Sequence, residues 1–199
     1  MKSLTSRELI ASSNSSSVPK KHVFRRRKLF PDRANLWKIE SGVVRTYTWL
    51  DNGTNVTLGL WTAGDVIGRA LSKIEPLEIE CLTTVEATIL PMEELVFLSD
   101  VLLNHIYQNE ELMLIRSYKT VDIMVLKLLG WLTKKFGRTV KTGQLIDLRL
   151  THQDIAELLN TTRVTVTRIL IQLEEQGMIQ RLPLHLTVVQ AQELWHYEI

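Results

Sequence analysis

The sequence predicts an α+β chain in three parts: a small closed β-roll, a long helical segment, and a C-terminal winged helix-turn-helix. Three observations carry that prediction. Residues 36–90 run as short β-favouring stretches broken by Gly- and Asn-bearing turns; Leu114 to Leu132 hold an apolar repeat at alternating spacings of four and three; and Thr151 to Ile179 read as two helices around a tight turn. The expected boundaries are a loose tail over 1–21, the roll over 22–100, the long helix over 101–137 and the winged head over 138–199.

Taken in order, the tail contains Ser12, Ser13, Asn14, Ser15, Ser16 and Ser17, which bury too little apolar surface to fold. The basic run Arg25-Arg26-Arg27-Lys28 lies between Val23-Phe24 and Leu29-Phe30, so an edge strand carrying solvated charge is favoured over a nucleic-acid arm. Strands follow at Trp37 to Ile39, Val43 to Trp49, Val56 to Trp61 and Ile79 to Leu90, with Asp51-Asn52-Gly53 as a hairpin signal. A helical stretch then runs from Val101 to Phe136 with a break expected near His105 to Asn109. Its seam of Leu114, Tyr118, Val121, Val125, Leu128 and Leu132 suits pairing with a second helix or covering of the roll, and periodicity does not separate the two. Lys119 and Asp122 beside it are expected in solvent.

The head is more specific. Thr151 is a side-chain acceptor just before the apolar run Ile155, Ala156, Leu158, Leu159, as a helix N-cap should be. Asn160 tolerates the left-handed backbone of a sharp turn, and a second helix opens at Thr161 or Thr162. On that helix Val166, Ile169, Leu170 and Leu173 share one face, while Arg163, Val164, Thr167 and Arg168 cluster on the other. A guanidinium can donate two parallel hydrogen bonds to guanine, and Thr and Val can meet thymine methyls, so this face is a candidate reader of double-stranded DNA. Gly177 ends the helix; Met178 to Arg181, His185 to Val189 and Gln144 to Leu150 would form a wing, on which Arg181 is either a phosphate contact or an ordinary exposed arginine.

The segment Thr162-Arg163-Val164-Thr165-Val166-Thr167-Arg168 resembles the recognition helix of the Crp/Fnr transcription regulators, and within them the cyanobacterial nitrogen regulators of the NtcA type. The likeness is strong from Asp147 to Ile179 and collinear from Leu36 onward. It implies a jelly-roll sensor domain like those that bind cyclic nucleotides, and a homodimer joined through the seam. It also implies base reading by Arg163, Val164 and Arg168, and backbone contacts from Thr151, His152, Gln153 and Thr162. Val164 stands where the catabolite activator has Glu, which implies a GTA/TAC palindrome.

The same resemblance places the effector cassette at Gly64 to Glu80, where a cyclic-nucleotide domain carries an arginine for the phosphate. Here the distal half is acidic, with Glu75, Glu78 and Glu80. The positions of the two arginines that would hold 2-oxoglutarate fall near Glu75 and His105, leaving Arg69 and Lys73 as the substitutes. No cofactor and no dependence on either ligand is therefore expected.

Composition narrows the remaining classes. With 24 basic and 22 acidic residues in 199, and a net charge of +2, the chain is no general polycation. One cysteine, Cys81, cannot build an iron–sulfur cluster or an internal disulfide, and reads as a small apolar filler in a reducing compartment. With five histidines, only His22 and His105 near the roll, a cupin-like metal site or enzyme is the weaker alternative, and no catalytic motif supports it. The absence of a membrane-spanning run or signal core points to a cytoplasmic protein whose partners are DNA, a second copy and RNA polymerase or a regulatory protein, with no membrane.

Overall fold

The computed structural model describes residues 20–30, 35–91, 99–141 and 143–182, and the backbone of 187–189. The tail expected over 1–21 lies, up to residue 19, outside the described residues. Seven strands among those described build the roll: β1 (Lys21–Phe24), β2 (Leu36–Ser41), β3 (Val43–Trp49), β4 (Asn55–Thr62), β5 (Val66–Ile67), β6 (Glu78–Cys81) and β7 (Val85–Leu90). They pair antiparallel in two sheets, ordered β1-β7-β2-β5 and β4-β3-β6. The space between is filled by Phe30, Trp37, Ile39, Val44, Trp61, Ile67 and Cys81, with the Phe24 and Phe30 rings 4.4 Å apart. Cys81 is fully buried, and burial, with the nearby Glu80 charge, pushes its thiol up to about 12.

Turn chemistry sets the register as expected. Gly53 has φ 78° and donates its N–H to Leu50 at 2.8 Å, closing the hairpin between β3 and β4. Between β2 and β3, Gly42 has φ 89° and a side chain there would come within 2.3 Å of the Thr84 carbonyl, so only glycine fits. The basic run departs from expectation. Strand β1 stops at Phe24, and Arg25 to Lys28 form a turn in which Arg26 Nε donates to the Leu82 carbonyl at 2.8 Å while Arg27, 38% exposed, reaches Glu80 and Asp154. The carbonyls and carboxylates there reward burial of a guanidinium more than a solvated edge would.

The helical segment also breaks elsewhere. Helix α1 (Ser99–Arg116) runs unbroken through His105 to Asn109, and α2 (Val121–Phe136) begins after Ser117 to Thr120. Asp122 and Lys119 are exposed as expected, and hydrogen bonds from the Thr120 side chain and from the Ile123 amide lower the Asp122 pKa. The seam consequently splits. Val125, Leu128 and Leu132 are fully buried in the chain's own core against Ile155, Leu170 and Leu173, and cannot be offered to a partner helix. Leu114 is 63% exposed, while Tyr118 and Val121 are half-buried at the break.

After α2 come β8 (Gly137–Val140), β9 (Gly143–Ile146), α3 (His152–Leu159), α4 (Arg163–Glu175), β10 (Ile179–Gln180) and β11 (Thr187–Val189). The four strands form the wing sheet in the order β10-β11-β9-β8. The expected strand Gln144 to Leu150 ends at Ile146, and β8, with three exposed residues of four, gave no apolar signal. One core joins this head to the roll: Val43 and Leu60 from the strands, Leu82 from the bend after β6, Leu112 and Ile115 from α1, and the inner faces of α2, α3 and α4. Among the described residues no helix is long and apolar enough to cross a membrane.

Candidate nucleic-acid interface

Three local devices shape the helix-turn-helix. Thr151 caps α3, its hydroxyl accepting from the Asp154 amide at 3.1 Å while Asp154 Oδ2 accepts from the Thr151 amide at 2.7 Å, a reciprocal capping box. Asn160 takes the left-handed conformation, φ 51° and ψ 47°, and turns the chain. Thr162 caps α4 by accepting from the Thr165 amide at 3.1 Å. Helix α4 buries Val166, Ile169, Leu170 and Leu173. Its other face is open: Arg163 and Arg168 are exposed, Val164 is 79% exposed, and with Ile171 and Gln172 they border a shallow surface depression.

The remaining predicted contacts are already engaged within the chain. Thr167 is half-buried, and its hydroxyl donates to the Arg163 carbonyl at 2.8 Å. His152 Nδ1 lies 2.7 Å from Thr167 Oγ1, whose proton is given to Arg163, so the ring donates and ties the start of α3 to α4. Burial and the Arg181 and Arg163 charges lower the His152 pKa and keep the ring neutral. The Thr151 and Thr162 hydroxyls are spent on caps, and Gln153 Nε2 donates to Glu157 at 3.0 Å. Arg181 grips Glu174, with Nε 2.6 Å from Oε2, and holds that carboxyl below its usual range. The side-chain chemistry left open to bases is therefore that of Arg163, Val164 and Arg168, while Thr167 and His152 act as buttresses.

The underside of α3 carries residues that sequence reasoning did not flag. Arg45 on β3 is 7% exposed; its Nε donates to Glu80 at 2.6 Å and its Nη1 to Glu157 at 2.6 Å, with Asp154 3.4 Å away. Arg27 reaches Glu80 and Asp154, each at 3.3 Å. Burial works against both guanidinium charges, but the carboxylates more than offset it and raise both pKa values. At the other end of α3, Arg116 of α1 donates to the Leu158 carbonyl at 2.7 Å and to the Thr57 carbonyl of β4 at 2.5 Å. Arg45 sits in an otherwise apolar and hydroxylic strand, Val43-Val44-Arg45-Thr46-Tyr47, and that anomaly was the only available signal.

The roll's interior pocket is nearly filled. About 80 Å³ remains, lined by neutral residues including Thr46, Trp61, Ser72, Leu77, His105 and Asn109. Trp61 stacks on His105 with ring centroids 3.9 Å apart, and His105 Nε2 donates to the Val66 carbonyl at 2.6 Å. Burial lowers the His105 pKa. Of the acidic residues expected to repel an anion, Glu75 pairs with Arg69 and Glu80 points to the head, so neither faces this space as an open charge.

The fold has solved counterparts. Residues 125–197 match the Crp-like helix-turn-helix domain. The regulatory protein CysR of Synechococcus elongatus is 42% identical over 168 residues, spanning 82% of this chain and 81% of that protein. The chain belongs to the Crp/Fnr family of transcription regulators. The structure of a CRP-family regulator from Thermus thermophilus superposes with a TM-score of 0.75 at 19% identity, covering 87% of this chain and 94% of that one. The likeness to the global nitrogen regulator of Nostoc is 38% identity, but over only 76 residues, 38% of this chain and 34% of that protein. As a member of the Crp/Fnr family the chain thus shares more of its length with CysR than with the nitrogen regulator.

Proposed function

We propose that this Crp/Fnr regulator is a homodimer that binds a palindromic operator with GTA/TAC half-sites, read by Arg163, Val164 and Arg168. The observation that carries this is the open α4 face, where two arginines flank a valine 79% exposed on a helix otherwise held by caps and core. Backbone amides at the start of α3 supply phosphate donors, and Arg181 joins them by exchanging Glu174 for a phosphate. The dimer surface is the outer stripe of α1: Leu103, Ile106, Tyr107, Met113 and Leu114 are 44–66% exposed at coiled-coil spacing. A second copy is the fitting occupant, because an isologous pair of such helices presents both heads to successive major grooves about 34 Å apart. Selection of bound sites from random DNA tests the reading. The expected outcome is a GTA/TAC palindrome; enrichment of asymmetric sequences would refute it.

The regulator works without cyclic AMP or 2-oxoglutarate. A space of about 80 Å³ lined by neutral side chains is smaller than pockets that hold drug-sized ligands, roughly 300 Å³ upward, and Arg69 is engaged by Glu75. A ligand shifts a population only by its differential affinity, and this pocket offers an anion little. Calorimetry with both compounds is expected to show no binding. Micromolar affinity that strengthens operator binding would overturn this part of the reading.

A further inference from the structure

The contacts beneath α3 are more than packing. The roll contributes Arg27, Arg45 and Glu80, and the head contributes Asp154 and Glu157, all but Arg27 more than nine-tenths buried. A net positive cluster on one domain meets two negative charges on the other. Asn55 of β4 adds a 3.5 Å contact to Glu157, and Tyr47 lies under the Arg45 guanidinium, 4.7 Å from ring centroid to Cζ. Asp154 belongs at the same time to the capping box of α3: Arg27 contacts its capping oxygen, Oδ2, at 3.3 Å and Arg45 lies 3.4 Å from its Oδ1. Arg116 holds the far end of the same helix through its Leu158 carbonyl.

From this we propose that Arg45, seconded by Arg27 and Arg116, is a positioning residue for DNA recognition: it clamps α3 to the roll and so fixes the direction of the α4 reading face relative to α1. Arg45 lies on the opposite side of α3 from the exposed reading face and acts through the helix. A planar guanidinium is required because one side chain must bridge Glu80 of the roll and Glu157 of the head at once, through different nitrogens. Without it, Glu80 confronts Asp154 and Glu157 across the interface with Arg27 as the remaining cation, and the domains relieve that repulsion by separating. The clamp matters for spacing. Two heads held rigidly on a paired α1 accept one half-site separation, whereas loose heads accept several and lose the benefit of simultaneous binding.

The functional part of this proposal rests on the dimeric operator-binding reading above; the clamp itself does not. The test uses the full chain with Asp51→Cys and Gln172→Cys spin labels, one on the hairpin tip of the roll and one on exposed α4, diluted into excess unlabelled protein so that distances within a chain are read. Cys81 is fully buried and stays unlabelled. Wild-type contacts are expected to give a narrow distance distribution and Arg45→Met a broad one, with Arg45→Lys between, since an ammonium reaches one carboxylate well but not both. On operators of graded spacer length, Arg45→Met is expected to lose roughly tenfold to a hundredfold at the best spacer and far less at the others. Should Arg45→Met fold poorly, Glu157→Gln breaks the same bridge from the head side and is expected to behave alike. A lowered Tm with an unchanged distance distribution would mean that Arg45 only stabilises the roll, and would overturn the proposal. Failure to find any palindrome refutes the operator reading, while the distance measurement still decides the clamp.

Discussion

The helix-turn-helix carries charge on two faces and uses it in opposite ways. On the outer face of α4, Arg163 and Arg168 stand in water and remain available to an external partner. On the inner face of α3, Asp154 and Glu157 are buried and fully occupied by Arg45 and Arg27. A solvated charge costs little to keep and contributes little to stability, so it can be kept for recognition. A buried charge must be satisfied inside, and satisfying it fixes geometry. The apolar stripes of the two long helices differ in the same way: that of α1 is exposed, that of α2 is interior.

That contrast can be broken most violently from the inside. Val125→Asp places an unpaired charge in the shared core and is expected to cost more than about 4 kcal/mol, unfolding the head instead of producing a folded monomer. Thermal melts would show it; a cooperative transition at the wild-type temperature would contradict the assignment of α2 to the core. The α1 stripe should respond differently. Met113→Asp with Leu114→Asp touches residues 66% and 63% exposed, so the monomer should keep its melting temperature in dilute solution while sedimentation at graded concentration shows loss of the dimer.

On the outer face the effects are smaller and selective. Arg163→Ala is expected to cost about 1–3 kcal/mol of operator affinity and to relax preference at one base pair, whereas Gln153→Ala should weaken all sequences evenly and modestly. Competition binding on single-base operator variants separates the two patterns. The mildest test concerns Lys135, which α2 inserts among Trp61, Trp131 and Phe136, within 2.7 Å of the Leu60 carbonyl. Burial lowers its pKa to about 8, partly opposed by Asp65. The unfolded chain then holds the Lys135 proton more tightly than the folded one between pH 8 and the ordinary lysine value, so the contribution of Lys135 to stability rises with pH through that window. Between pH 7 and 9 the gain is about 1 kcal/mol, and Lys135→Met should abolish it. Melts of both proteins at the two pH values check the sign; a wild-type loss relative to Lys135→Met would contradict it.

Much of the exposed α4 face was legible in the sequence because its causes are local. Thr151 and Thr162 cap, Asn160 turns, and the spacing of Val166, Ile169, Leu170 and Leu173 assigns the opposite face of α4 to solvent within thirteen residues. The strands over Val43 to Trp49 and Val56 to Trp61 and the Gly53 hairpin were legible for the same reason, whereas the single strand expected from Ile79 to Leu90 is two, β6 and β7, which pair in different sheets. What covers the seam from Leu114 to Leu132 was not legible, because a heptad pattern records that one side is apolar and not what covers it. Its covering, Leu170 and Leu173 for the second half and open surface for Leu114, depends on the turn at Ser117 to Thr120.

By itself, then, the sequence determined the family, the two capped helices and the identity of the side chains that face outward, since each follows from spacings of a few residues and from local hydrogen bonds. The tertiary structure alone decided what those helices stand on. Arg45 and Glu157 are 112 residues apart, and Arg27 and Asp154 are 127. No local periodicity links such pairs; they meet only because the roll and the head share a core that excludes water, where an unpaired charge would be too costly to leave.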